Sequence, residues 1–129
     1  MSSGKFATVI NCMDGRTQLP VNEWIRKRYK VDYVDTITEP GSIRILAETK
    51  YGTVIDSFKT EVDISTHKHG SKVLAIVGHH DCAGNPVPRA QQEQQIREAL
   101  VNISRWGFEV TLVGLYVDEK WMVNEVGSG

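Results

Sequence analysis

Lys72-Val-Leu-Ala-Ile-Val-Gly78 is the stretch that decides the fold. Its interior is wholly apolar and rich in β-branched residues. Such a run reads as a strand buried on both faces, the kind found in parallel sheets covered by helices. Phe6-Ala-Thr-Val-Ile-Asn11 reads the same way, and Tyr33-Val-Asp-Thr-Ile-Thr38 is alternating and β-branched. Phe108 to Val117 supplies a fourth strand, and Trp121 to Val126 suits a short edge strand.

Helical spacing fills the intervals. Val21, Trp24, Ile25 and Tyr29 recur on one face opposite Arg26, Lys27 and Lys30, with Pro20 suited to the first turn. Ile43, Leu46 and Ala47, then Val54, Ile55, Phe58 and Val62, predict one or two helices with Gly52 as the break. Ile96, Ala99, Leu100, Ile103 and Trp106 line a further helix that Gly107 stops. Strands alternating with helices imply right-handed crossovers. The expected class is therefore α/β, a three-layer α/β/α arrangement around a mostly parallel sheet of four to five strands. Trp106, Phe108 and Trp121 fall at core positions of these elements.

The 129 residues suit one domain, 1–129, and carry a net charge of −1. That balance gives no electrostatic footprint for nucleic acid or a membrane surface. Met1 to Lys5 is short and polar, unlike a signal peptide, and no apolar run approaches the ~20 residues of a membrane span. A cytoplasmic location is expected.

The chain has two cysteines, Cys12 and Cys82. Each directly follows an apolar strand, at the carboxyl end where open α/β sheets bind ligands. The first loop carries Cys12, Asp14 and Arg16; the second carries His79, His80, Asp81 and Cys82. If the two strands are neighbours, two thiols and an imidazole converge. Thiolate and imidazole suit zinc, and three protein ligands leave the fourth tetrahedral position free, as catalytic sites do. A structural disulfide is disfavoured in a cytosolic chain. A redox dithiol fits less well because the cysteines are not in a CxxC arrangement. Asp14 and Arg16, taken alone, read as a local salt bridge that stiffens a loop. His67 and His69 read as a solvated connection, and His80 and Asp81 as exposed loop residues.

Cys12-x-Asp14-x-Arg16 followed by Gly78-His79-x-x-Cys82 resembles the paired signature of the β-class carbonic anhydrases, over roughly Phe6 to Val117. By that resemblance Cys12, His79 and Cys82 correspond to ligands of Zn2+, and Asp14 and Arg16 to a catalytic carboxylate–guanidinium dyad. The implied reaction is hydration of carbon dioxide to bicarbonate by a zinc-bound hydroxide, in a homodimer or higher homo-oligomer. Two further readings stay open: hydrolysis of a related molecule such as carbonyl sulfide or carbon disulfide, and a non-catalytic zinc protein closed by Asp14. The sequence departs from the family pattern in three places. Cys12 stands near the start of the chain, where the family usually carries a long helical extension. The family's Ala-Gly-Asn turn is Pro40-Gly41-Ser42 here, and the glycine usual after the last ligand is Ala83, with Gly84 next.

Overall fold

Val73, Ala75 and Val77 pack in one apolar cluster and Leu74 and Ile76 in another, so the decisive strand is buried on both faces. The computed structural model describes residues 4–129, so Met1 to Ser3 of the polar start lie outside the described residues. Along the chain run β1 (Phe6–Asn11), α1 (Gly15–Tyr29), β2 (Tyr33–Thr38), α2 (Ser42–Glu48), α3 (Gly52–His67), β3 (Val73–His79), α4 (Arg89–Ser104), β4 (Thr111–Val117) and β5 (Val123–Ser128). The strands form one sheet in the order β2-β1-β3-β4-β5. The first four are parallel and β5 is antiparallel to β4. This is the expected three-layer α/β/α class.

Alternation along the strands divides the core. Val21 and Ile25 of α1 pack with Ala7, Val9, Ala75 and Val77 on one face. On the other, Ile43 and Leu46 of α2, Phe58 and Val62 of α3, and Ile96 and Ile103 of α4 cover Ile10, Leu74 and Ile76. β1 and β3 are adjacent, with Thr8 opposite Leu74 and Ile10 opposite Ile76. The chain turns to one side after β1 and to the other after β3, so their carboxyl ends open onto the crevice where such sheets bind ligands.

Some boundaries differ from the sequence expectation. α1 starts at Gly15, not at Pro20, and Pro20 lies inside it. The early start rests on side chains. Asp14 is the N-cap, its carboxylate accepting from the Arg16 amide at 2.9 Å. Gln18 Nε2 donates to the carbonyls of Cys12 and Asp14 at 2.8 and 3.0 Å. A cap of this kind contributes about 1 kcal/mol and helps offset the hydrogen bond that Pro20 cannot make. β3 extends through His79, and β4 begins only at Thr111. Trp121 belongs to the turn between β4 and β5, not to a strand.

Candidate metal centre

Cys12 follows β1 directly, His79 ends β3, and Cys82 lies three residues beyond. Adjacency of the two strands brings all three together. Their ligand atoms lie within 4.8 Å of one another, and the residues are buried, His79 completely. The sulfurs are 3.9 Å apart, and both cysteines are free. Two sulfurs bound at ~2.3 Å to one tetrahedral zinc would stand about 3.8 Å apart. The observed spacing would suit a shared ion and is too long for a disulfide at ~2.05 Å.

His79 turns its ring toward the same two sulfurs. Its Nδ1 lies 2.8 Å from the His80 carbonyl, which can only accept, so Nδ1 carries the proton. Nε2 then bears the lone pair, and it is buried with no hydrogen-bond partner. An unpartnered buried nitrogen costs free energy unless something occupies it. A metal ion would suit that nitrogen, with the Nδ1–H bond fixing the tautomer as such sites require.

The backbone of His79 is clamped from α4. Gln92 Oε1 accepts from the His79 amide at 3.0 Å, and Gln92 Nε2 donates to its carbonyl at 2.7 Å. Gly78 makes room for this amide, since a Cβ there would stand 2.6 Å from Gln92 Oε1. Opposite, Gly41 lies against Gly84. A Cβ on Gly41 would meet the Gly84 carbonyl oxygen at 2.5 Å, and Gly41 is at φ 59. This close approach carries peptide dipoles to the sulfurs. The N–H groups of Gly41 and Asp14 favour the Cys12 thiolate, and those of Gly84 and Asn85 favour a Cys82 thiolate.

The pair titrates as one system. A hydrogen bond from Cys82 holds Cys12 well below the usual thiol range, against the effect of burial. The same contact, together with burial and the Cys12 charge, pushes Cys82 up. Burial opposes a charged His79 ring, but the Cys12 sulfur, the His80 carbonyl and the Cys12 and Asp14 charges outweigh it and raise His79. One thiolate is thus already favoured, which suits capture of a cation.

Asp14 and Arg16 sit at the rim. Arg16 Nε donates to Asp14 Oδ1 at 3.0 Å and its terminal nitrogen to Oδ2 at 2.6 Å, a bidentate fork. That fork holds the Asp14 carboxyl at about 2. Asp14 Oδ2 lies 4.0 Å from His79 Nδ1, next to the cluster but outside it. Arg16 also reaches the carboxylate and carbonyl of Asp81, so Asp81 is not idle. The guanidinium lies 4.5 Å from the centre of the Trp121 ring. Trp121, expected in the core, is half-buried against the apolar cluster of Val77 and Val117 and also faces Arg16.

His67 and His69 are far from this end. They pair with Asp63 and Asp35 at 2.7 and 2.6 Å. Both line a cavity of about 620 Å³ at the amino ends of β1 and β3, together with Lys5 and Lys72. Far larger than the narrow crevice beside Cys12 and His79, that cavity brings together no metal-ligand set among the described residues.

A mostly parallel sheet with this strand order, bringing Cys–His–Cys together at the β1/β3 switch point, has a β-carbonic anhydrase-like fold. The chain belongs to the family whose model is described as "putative carbonic anhydrase", which matches residues 2–127. Among solved structures it is similar to the carbonic anhydrase of Streptococcus mutans, with 17% identity and a TM-score of 0.61 over 94% of this chain and 81% of that one. It is similar also to β-carbonic anhydrase isoform I of Trichomonas vaginalis, with 13% identity and a TM-score of 0.62 over 95% and 82%. A tetrameric β-carbonic anhydrase of Sordaria macrospora matches at 12% identity, with a TM-score of 0.58 over 99% and 84%. These are likenesses of fold. No curated protein matches the chain.

Proposed function

We propose that residues 1–129 act as a single zinc-binding domain that hydrates carbon dioxide to bicarbonate, with Cys12, His79 and Cys82 as zinc ligands and Asp14 and Arg16 as the catalytic dyad. The observation that carries this reading is the Asp14–Arg16 fork standing beside a buried thiol–imidazole–thiol set whose nitrogen has no partner. Zinc, when bound, supplies Lewis acidity that makes water acidic enough to act as a nucleophile near neutral pH, less strongly with two thiolates than with neutral ligands.

The chain's own residues do the rest. Asp14 stays ionised down to about pH 2, so at working pH it is an acceptor only. It would orient an incoming water by taking one of its hydrogen bonds. Arg16 uses two parallel donors to hold that carboxylate in one orientation. The same grip keeps Asp14 from becoming a fourth ligand, which speaks against the closed, non-catalytic reading. His79 presents Nε2 because the His80 carbonyl occupies Nδ1.

A homo-oligomer is part of the proposal. Met13, Leu19 and Met122 are exposed apolar side chains on elements at the carboxyl end of the sheet, and the Sordaria macrospora protein is tetrameric. Among the described residues no helix is long and apolar enough to cross a membrane, and we place the protein in the cytoplasm, where paired thiols stay reduced.

The test is carbon dioxide hydration by stopped flow on zinc-loaded protein, at neutral and alkaline pH, with Cys82→Ala as the blank. Hydration above the blank, greater at alkaline pH, is the expected result. No hydration at either pH with one zinc bound per chain would overturn the assignment.

A further inference from the structure

Trp121 is held in a conformation that its side chain opposes. Its backbone is in the left-handed region, at φ 59, where a bulky residue is an outlier that a glycine or asparagine would relieve. The surrounding turn enforces it. The Trp121 amide donates to the Asp118 carbonyl at 2.9 Å, and the Asp118 amide donates to the Met122 carbonyl at 3.0 Å. The Asp118 carboxylate accepts from the amides of Lys120 and Met122 and from the Asn124 side chain at 2.9 to 3.0 Å. So constrained, the turn places the indole against Arg16, 4.5 Å from its guanidinium carbon.

That contact completes an enclosure. Arg16 donates from one side to Asp14 and from the other to Asp81. Hydrogen bonds in the plane leave only the two faces of the guanidinium free, and an indole is the side chain that binds such a face best. Arg16 is 47% exposed, so without the ring it would exchange among rotamers and water. Strain retained at one bulky residue whose ring meets a site residue points to a constraint from the site.

We infer that Trp121 is a positioning residue: by covering one face of Arg16 it keeps the Asp14 carboxylate in the Arg16 fork and away from the Cys12–His79–Cys82 set, leaving one position of a bound metal open to exchangeable ligands. The inference rests on the metal-centre reading proposed above. It gives the β4–β5 turn, more than a hundred residues along the chain from Asp14, control over whether the site is open.

The test uses the full chain loaded with Co2+, whose visible absorption reports its ligands, titrated with thiocyanate. Wild type and Trp121→Phe, which keeps a ring face, should both shift their spectra on titration. Trp121→Leu, which keeps apolar bulk, and Trp121→Gly, which relieves the backbone, should still bind one cobalt through thiolates. Their thiocyanate affinity should fall by about tenfold or more, as when a supporting partner is lost. Arg16→Ala should match them, and the double variant with Trp121→Leu should be no weaker than Arg16→Ala alone. Wild-type thiocyanate affinity in both Trp121→Leu and Trp121→Gly would overturn the positioning role and leave the metal centre intact. Loss of cobalt binding in both would overturn it too, by making Trp121 a residue of the fold. A wild-type protein that binds no cobalt, or whose cobalt ignores thiocyanate, would sink the metal-centre reading itself and the inference with it.

Discussion

Each guanidinium nitrogen of Arg16 donates to one of two carboxylate-bearing neighbours, Asp14 and Asp81, and this is what makes its replacement informative. Arg16→Ala frees Asp14 without touching a ligand. Zinc content by elemental analysis should stay near one per chain while turnover falls by about 10–100-fold or more, the range for partners that support a metal site. Unchanged turnover would remove Arg16 from the mechanism. Asp14 itself sets an acid limit. Its folded value of about 2 lies below the ordinary 3.8, so the unfolded chain takes up its proton first. The stabilisation is complete above about pH 4 and is lost as pH falls towards 2. Melting temperatures of metal-free wild type and Asp14→Asn should therefore converge over that interval; a constant gap down to pH 2 would show that the charge contributes nothing.

Elements are fastened at the site by backbone contacts as much as by side chains. Gln92 is the clearest case, because α4 reaches β3 through one amide that satisfies both the N–H and the C=O of His79. Gln92→Ala strands two buried polar groups, and urea unfolding should show a loss of about 2–4 kcal/mol at an unchanged m-value. A loss below 0.5 kcal/mol would mean that neighbouring groups or water replace the amide. The sequence disclosed the strands and helices well, since a run such as Val73 to Val77 can be buried only one way. It disclosed the cysteines and His79 because these residue types are rare and fall at strand ends. It could not disclose Gln92, Gly41 or Trp121. Gln92 reads as one polar residue on a helix, and its value depends on which strand the helix crosses. Gly41 matters through its contact with Gly84, forty-three positions on, and Trp121 through a turn whose φ no pattern of hydrophobicity records. The start of α1 was hidden by Pro20, a start signal in isolation that here yields to Asp14 and Gln18.

In the sheet as a whole β1 and β3 are held by pairing and by the helices packed across them, and the candidate centre lies at their carboxyl ends. A metal there binds the folded chain and not the unfolded one, so its binding energy adds to stability. At a free zinc concentration a thousandfold above the dissociation constant the gain is ~4 kcal/mol. Calorimetry with and without a strong chelator should show melting lowered by roughly 10 °C. No shift would place zinc, if bound at all, outside this centre.

Cys12 and Cys82 are separated by 70 positions, yet their sulfurs belong to one site. On the ribosome this separation becomes time. At ~5–20 residues per second, Cys12 is made roughly 4–14 s before Cys82. Throughout that interval β1 has neither β3 beside it nor a second thiol to share a proton with, so Cys12 waits as an ordinary nascent thiol, open to oxidants and to stray metals. Its low-proton-affinity character begins only when β3 docks, which makes birth of the reactive sulfur a late event of synthesis.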